Sequence, residues 1–296
     1  YAACFDEAAA TRAMMEAARG EIAERYPPAV EEEALRAVLS RSLARRQVQV
    51  GALRLGLAAG THPVSAENQA LFAEIALSPE VPTDIALAAD IGCGCGVFGI
   101  HLLAAARRSG RGVQRLLCAD PHRASLAALE RSLLRHAGES PLPAGVTLDD
   151  GSLLEPLLRN GERATLICAN LPQTPGPTGF RLDRCGGDDG AGLICAFLAD
   201  LPRTLADGGE AYLLHIGLAH PARVAASIAA IGFTATGIAA QTRHARLADY
   251  EALQPGLADW LLAERAAGRA EFVSDTDGGD GFTFRARLLR LRRAPV

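Results

Sequence analysis

A chain of 296 residues is long enough for one large domain, or for one domain with a smaller appendage. With 49% hydrophobic residues but only 5% aromatic ones, its core must be built mainly from Ala, Leu, Ile and Val. A formal net charge of −4 gives no general attraction to nucleic acid, and the absence of lysine (all 30 basic residues are arginine) excludes a Schiff-base lysine or a Walker-type phosphate lysine.

Residues 1–45 carry apolar side chains at helical spacing: Met14, Met15, Ala18 and Ile22, then Ala34, Leu35, Val38, Leu39 and Leu43. Pro27-Pro28 divides the two runs, and Glu31 to Glu33 suit the start of the second helix. This predicts a small helical N-terminal domain over 1–46, serving either as a packing appendage or as a recognition surface. Residues 48–57, VQVGALRLGL, alternate and predict a hairpin with a bend at Gly51. Ser65 is a good N-cap for a helix through Leu77, so 47–80 read as hairpin and linking helix. His62 lies in the loop before that helix. It is a candidate base, or an ordinary lone histidine.

Residues 86–103, ALAADIGCGCGVFGIHLL, change the pattern. An apolar run ends at Asp90, glycines follow at 92, 94, 96 and 99, and helical spacing begins at Val97. This reads as buried strand, glycine turn and helix N-terminus. Glycines let a ligand lie close to the backbone, and the helix start offers free N–H groups.

Regular alternation follows. Strand 113–119 ends at Asp120-Pro121, and 123–136 is a helix. Strand 146–148 ends at Asp149-Asp150, followed by Gly151 and Ser152. Strand 164–169 ends at Asn170, and a loop rich in Pro and Gly runs over 171–190. Helix 192–205, strand 210–216 and helix 222–231 complete the series. Strands alternating with helices predict a parallel sheet covered on both faces, with ligands bound beyond the carboxyl ends of its strands. Asp90, Asp120, Asp150 and Asn170 all fall at those ends. The tail reads as strand 233–246, a helical segment 250–266 and strand 281–291, which supplies an antiparallel partner. The run DTDGGD at 275–280 reads as a turn, since it lacks the spacing and terminal Glu of a calcium loop.

Seven cysteines at 4, 93, 95, 118, 168, 185 and 195 match no zinc or disulfide spacing, so no metal site is expected. Cys118 and Cys168 lie in apolar runs and read as small core residues. An odd count without a framework points to a reducing, cytoplasmic compartment. No run of 18 apolar residues or signal-peptide pattern occurs, so no membrane partner is expected.

Two cofactors suit the glycine turn. Gly94-x-Gly96-x-x-Gly99 fits a dinucleotide fingerprint with Asp120 at the ribose, which would make the chain an NAD-dependent oxidoreductase. Three features weigh against it: Asp90 sits where a pyrophosphate disfavours a carboxylate, Gly92 is one glycine more than the fingerprint needs, and an antiparallel ending is not the usual dinucleotide order. S-adenosylmethionine carries a sulfonium and an ammonium instead of phosphates, so an acid beside it is favourable.

Residues 86–103 resemble motif I, D-x-G-x-G-x-G, of class I S-adenosylmethionine-dependent methyltransferases. The resemblance runs over about 50–235 and is closest to the HemK-like group, the protein-glutamine N5-methyltransferases of release factors. GSLLEPL at 151–157 resembles that group's G-D-L-x-E-P-L, and GGDDG at 186–190 resembles its G-G-x-D-G. A helical N-terminal piece before a hairpin is also similar. The resemblance implies a Rossmann-like, seven-stranded, mostly parallel sheet with an antiparallel final strand over 81–296, a helical insertion near 249–267, and the small helical N-terminal domain. It implies that Asp90, Gly92 and Gly94 face the methionine part and that Asp120 takes the ribose hydroxyls. The family's adenine-side acid falls on Ser152, with Asp150 two residues earlier as the alternative. Cys93, Gly96, Pro121, Gly151 and Asn170 complete the implied cofactor-binding set.

The family's N-P-P-Y is here Asn170-Leu171-Pro172-Gln173. In the family, the Asn side chain and a backbone carbonyl accept hydrogen bonds from a planar NH2 group, and the Tyr packs against it. Asn170, Pro172 and Gln173 are therefore the implied catalytic residues, with Gln173 offering a donor and an acceptor in place of an aromatic face. A similar apolar-Pro-Gln loop occurs in the methyltransferase part of plant methionine S-methyltransferases. The expected acceptor is thus a nitrogen, oxygen or sulfur atom of a small molecule, such as an amino acid or natural-product intermediate. A protein glutamine is the alternative. Nucleic acid is disfavoured by charge, although 285–293 form a locally basic strand. The expected reaction is in-line displacement by an acceptor lone pair, catalysed mainly by positioning. A hydroxyl acceptor would need a base, His62 or His215. His215 lies in an apolar strand, YLLHIG, where a satisfied core histidine is the alternative.

Overall fold

A computed structural model describes residues 47–50, 53–56, 71, 84–108, 112–137, 145–177, 185–275 and 279–295. The expected helices of 1–46, the bend at Gly51, most of the linking helix and His62 lie outside the described residues.

Strands β1 (Gln47–Val50) and β2 (Leu53–Gly56) form an antiparallel hairpin with Val50 opposite Leu53. The main sheet contains β3 (Asp84–Ile91), β4 (Gly112–Ala119), β5 (Val146–Asp149), β6 (Ala164–Ala169), β7 (Leu205–Ile216), β8 (Phe233–Arg246), β9 (Val273–Ser274) and β10 (Gly281–Arg293). Its order is β5-β4-β3-β6-β7-β10-β8, with the two-residue β9 added to β10. From β5 to β7 neighbours pair in parallel, whereas β10 runs antiparallel to both β7 and β8. The expected seven-strand path with an antiparallel last strand is therefore present, with β9 as an eighth, minor strand.

The helices are α1 (Val97–Arg108), α2 (Arg123–Ala137), α3 (Glu155–Asn160), α4 (Gly192–Thr204), α5 (Pro221–Ala230), α6 (Leu247–Leu253) and α7 (Leu257–Ala266). Ala88, Cys118, Cys168, Tyr212 and Leu214 face a core shared with α1 and α2. Ala89, Leu117, Ile167 and Leu213 face a second core shared with α4 and α5. Burial on both faces explains why these strands read as continuous apolar runs. Cys118 and Cys168 are buried core residues, as expected. The hairpin joins the first core through Leu55, and Gly56 N–H donates to Ser132 Oγ of α2 at 3.0 Å. Among the described residues no helix is long and apolar enough to cross a membrane.

Three local features differ from the sequence reading. The single helical segment over 250–266 is two helices, because Pro255 and Gly256, the latter with φ 83°, interrupt it. Helix α3, within the stretch read only as a motif, starts at Glu155-Pro156 and ends on Gly161 in the left-handed region. Strand β7 starts at Leu205, five residues before its strongly apolar part.

Glu210 of β7 ties the antiparallel β10 to the parallel part of the sheet. This buried carboxylate accepts from the Tyr212 hydroxyl at 2.7 Å and from Arg292 Nε of β10 at 2.6 Å. Replacing Glu210 by Ala leaves Arg292 facing a buried gap but able to rehydrate in part, since it is half-exposed. We expect Glu210→Ala to cost about 2 kcal/mol in denaturant unfolding, below the full cost of breaking a wholly buried pair, and Glu210→Gln to cost less.

Candidate active site at the carboxyl edge of the sheet

The glycine turn is closed by its own neighbours. Gly92 N–H and Cys93 N–H both donate to Ala119 O, at 2.9 and 3.1 Å, which fixes the turn to the end of β4. Gly96 N–H donates to Cys93 O at 2.7 Å. Gly94 N–H donates to Asp120 Oδ2 at 2.8 Å. Gly92, Gly94 and Gly96 all have φ between 53° and 75°. At Gly96 a Cβ would also lie 2.6 Å from Leu129 of α2, so glycine is required there on two grounds.

Asp90 lies beneath this turn. It is 3% exposed, and its Oδ2 accepts from Gly99 N–H in the first turn of α1 at 2.8 Å. Burial pushes its carboxyl up to about 7, against the opposing Gly99 hydrogen bond and with a smaller push from the Asp120 charge. Asp90, expected to face the methionine part, thus has one carboxylate oxygen committed to the start of α1.

Asp120, half-buried at the end of β4, accepts from Gly94 with Oδ2 and from His122 N–H with Oδ1, at 2.8 Å each. Each carboxylate oxygen keeps room for a further donor. Pro121 beside it is exposed.

At the end of β5 the two adjacent acids have different work. Asp149 shapes the loop, accepting from Gly151 N–H at 2.8 Å and pairing with Arg159 at 2.6 Å. Asp150 lies on the rim and pairs at 2.6 Å with Arg123 Nε, at the start of α2 beside the Asp120 loop. Ser152 is exposed, and its N–H donates to the Glu155 carboxylate at 3.2 Å, turning it toward α3. Gly151 is buried, and a Cβ there would lie 2.8 Å from Pro156. Of the two adenine-side alternatives, Asp150 is the one adjoining the β4 loop.

At the end of β6 the turn and the substrate-side loop meet. A Cβ on Gly92 would lie 3.5 Å from Asn170 O and 3.3 Å from Leu171 Cδ2. Asn170 is half-buried, and its side-chain amide makes no hydrogen bond among the described residues. Pro172 is half-buried beside it. Gln173, expected to face substrate, is buried instead. Its Nε2 donates to Leu171 O at 3.2 Å and Leu214 O at 3.0 Å, and its Oε1 accepts from Ile216 N–H at 2.7 Å.

His215 is also committed to the protein. Its Nε2 donates to Ala219 O at 2.7 Å. Burial pulls its pKa down, opposed by the Ala219 carbonyl and aided by Arg287. This is the bonding expected of a satisfied core histidine.

The 185–191 loop stacks on this segment. Gly186 N–H donates to Thr174 O at 3.0 Å, and Gly176 N–H donates to Gly187 O at 3.1 Å. A Cβ on Gly186 would lie 2.7 Å from both Gln173 Cα and Pro172 O. Asp189 holds the loop's far end, accepting from Ala191 N–H at 3.0 Å and from Arg223 at 2.8 Å. Burial raises the Asp189 carboxyl, but the Arg223 and Ala191 hydrogen bonds outweigh it and hold the group below its usual range. Trp260 Nε1 of α7 donates to Asp188 O at 2.9 Å. Asp149 and Arg223 were given no role from sequence. The doubled acid after β5 was a visible signal for the first, while the second depends on long-range pairing.

No protein-family profile and no curated protein matches the chain. Among solved structures it is similar to the YcgJ protein of Bacillus subtilis, at 11% identity over 77% of this chain and 99% of that one, TM-score 0.51. It is also similar to precorrin 8w decarboxylase of Methanobacterium thermoautotrophicum, at 18% identity over 80% and 94%, TM-score 0.45. A third is the Mtq2-Trm112 complex of E. cuniculi, which methylates the eRF1 translation termination factor, at 15% identity over 78% and 98%, TM-score 0.44. The strand order and the likeness to YcgJ show a Rossmann-like fold.

Asp90 makes stability depend on pH in a defined direction. Its folded value of about 7 lies above the ordinary 3.8, so its folded state binds the proton more tightly. The contribution is full below about pH 4 and is lost as pH rises through 7. Asp90→Asn keeps an oxygen for Gly99 and does not titrate. In denaturant unfolding, its stability relative to the parent should grow by roughly 2–3 kcal/mol from pH 5 to pH 8. A constant difference would show that Asp90 does not carry this shift.

Proposed function

We propose that this chain is an S-adenosylmethionine-dependent methyltransferase related to the HemK-like group. Its proposed substrate is a small molecule, such as an amino acid or natural-product intermediate, methylated on a nitrogen, oxygen or sulfur atom. The observation that carries the cofactor reading is the internal use of the glycine turn. The N–H groups of Gly92, Cys93, Gly94, Gly96 and Gly99 are all engaged by protein acceptors. A dinucleotide pyrophosphate needs such groups free. A nucleoside linked to a sulfonium does not, and the Asp120 carboxylate at the end of β4 suits vicinal ribose hydroxyls.

Asp120 would hold the ribose, Asp150 would border the adenine, and the backbone of the glycine turn would lie against the methionine part. When bound, S-adenosylmethionine supplies an electrophilic methyl group. The protein's part is to bring an acceptor lone pair into line with it and to exclude water. Asn170 is the proposed orienting residue, because its amide retains a donor and an acceptor beside the turn. Pro172 limits the movement of that loop. His215 Nε2 is committed to Ala219, so a hydroxyl acceptor would call on His62 as its base, whereas a nitrogen or sulfur lone pair needs none. GSLLEPL at 151–157 and GGDDG at 186–190 support the HemK-like relationship. The buried, internally bonded Gln173 offers no aromatic wall for a planar amide, which favours the small-molecule reading over a protein glutamine.

Calorimetry with S-adenosylhomocysteine and, in parallel, NADH tests the cofactor. Micromolar affinity for the former and none for the latter is expected. Asp120→Ala should weaken S-adenosylhomocysteine by roughly 10- to 100-fold, the range for losing hydrogen bonds to a charged group. Binding of NADH alone would overturn the proposal. A labelled-methyl screen over amino acids, natural-product intermediates and a glutamine-containing release-factor peptide then identifies the acceptor, and label on the peptide alone would contradict the small-molecule reading.

A further inference from the structure

The β6–β7 ladder runs in parallel as far as Ala169 opposite Leu213. Beyond it the chain leaves the sheet at Asn170, while β7 continues to Ile216. The backbone groups of β7 that a longer β6 would have satisfied are met by one side chain. Gln173 Nε2 donates to Leu214 O, and Gln173 Oε1 accepts from Ile216 N–H two residues on. This is how the N–H and C=O of one residue of a parallel strand bridge its neighbour. The glutamine amide thus acts as an extra unit of the ladder, opposite His215. Its second N–H returns to Leu171 O in its own loop.

We propose that Gln173 is a positioning residue that fixes Asn170 against the glycine turn. Asn170, Leu171 and Pro172 lie between two anchors, the last ladder pair at Ala169 and the side-chain tie at Gln173. Both ends of this short segment are bound to the sheet, and Pro172 stiffens it. The orientation of Asn170 therefore follows from the tie. The 185–191 loop adds a lid on the same backbone: a Cβ on Gly190 would lie 2.6 Å from Gln173 O. Glutamine suits this role because it offers two donors and an acceptor at one side-chain length. Glutamate has no donor when ionised, asparagine is a methylene shorter, and methionine has neither group. The effect on methyl transfer rests on the function proposed above; the tie itself does not.

The test uses the full chain, labelled with nitrogen-15, as parent, Gln173→Met and Gln173→Glu. The first variant keeps length and apolar bulk, and the second keeps an acceptor for Ile216. Three quantities are followed: exchange of the Ile216 backbone amide, the response of the Asn170 side-chain NH2 signals to S-adenosylhomocysteine, and the affinity for that probe by calorimetry. In Gln173→Met, Ile216 exchange should rise at least tenfold and the Asn170 response should be lost or broadened, with affinity within twofold of the parent. Gln173→Glu should give a smaller change in Ile216 exchange and a similar loss at Asn170. Unchanged Ile216 exchange in both variants would overturn the tie. Faster exchange with an unchanged Asn170 response would overturn the positioning role. If the parent itself fails to bind S-adenosylhomocysteine, the cofactor reading fails, while Ile216 exchange still decides the tie.

Discussion

The Asp120 carboxylate joins the two loops on which the rest of the edge depends. One oxygen holds Gly94 of the glycine turn and the other holds His122 at the entry to α2. Ala119, the residue before it, accepts two more N–H groups from the same turn. The turn is thereby tied sideways to β4, while Asp90 ties it downward to α1. A loop that satisfies its own N–H groups in this way is rigid before any ligand arrives. Ligand binding then costs little loop ordering. The same closure occupies the N–H groups of Gly92, Cys93, Gly94, Gly96 and Gly99, which is the observation behind the proposed cofactor.

The substrate side is built by a different device. No regular secondary structure runs through 170–177, yet most of that segment is buried. Buried backbone needs partners. Leu171 O is met by the Gln173 side chain, and Thr174 O and Gly176 N–H are met by the 185–191 loop. The stack is sealed by the Asp189–Arg223 pair and by Trp260 from the inserted helices. Helix α7 thus reaches the 185–191 loop directly.

The parallel strands were legible as apolar runs ending at an acid or Asn, and the long final strands by alternation; β6 and β8 match the expected limits to the residue. Pro255-Gly256 was a readable break that the apolar periodicity on either side masked. Helix α3 was hidden by its brevity, six residues. At the site, residue positions were legible and side-chain directions were not. Asp90, Asp120, Asp150 and Asn170 all stand at the carboxyl edge, as their place after apolar runs implies. Whether each faces ligand or protein depends on partners elsewhere in the chain. Gln173 answers to Ile216, 43 residues away, and Asp189 to Arg223, 34 residues away. Local spacing carries no trace of such pairs. The different partners of Asp149 and Asp150 follow from strand geometry, since adjacent strand-end residues point to opposite sides.

The central claim is that the rigid turn and Asp120 together receive a nucleoside while Asn170 stands at its reacting end. A crystal structure of the protein soaked with S-adenosylhomocysteine tests it most directly. The account predicts ribose hydroxyls within hydrogen-bond distance of the Asp120 carboxylate, the Gly94–Asp120 bond retained, and the thioether sulfur on the Asn170 side of the turn. A nucleoside bound away from Asp120, or a turn that opens to donate its N–H groups to the ligand, would contradict it.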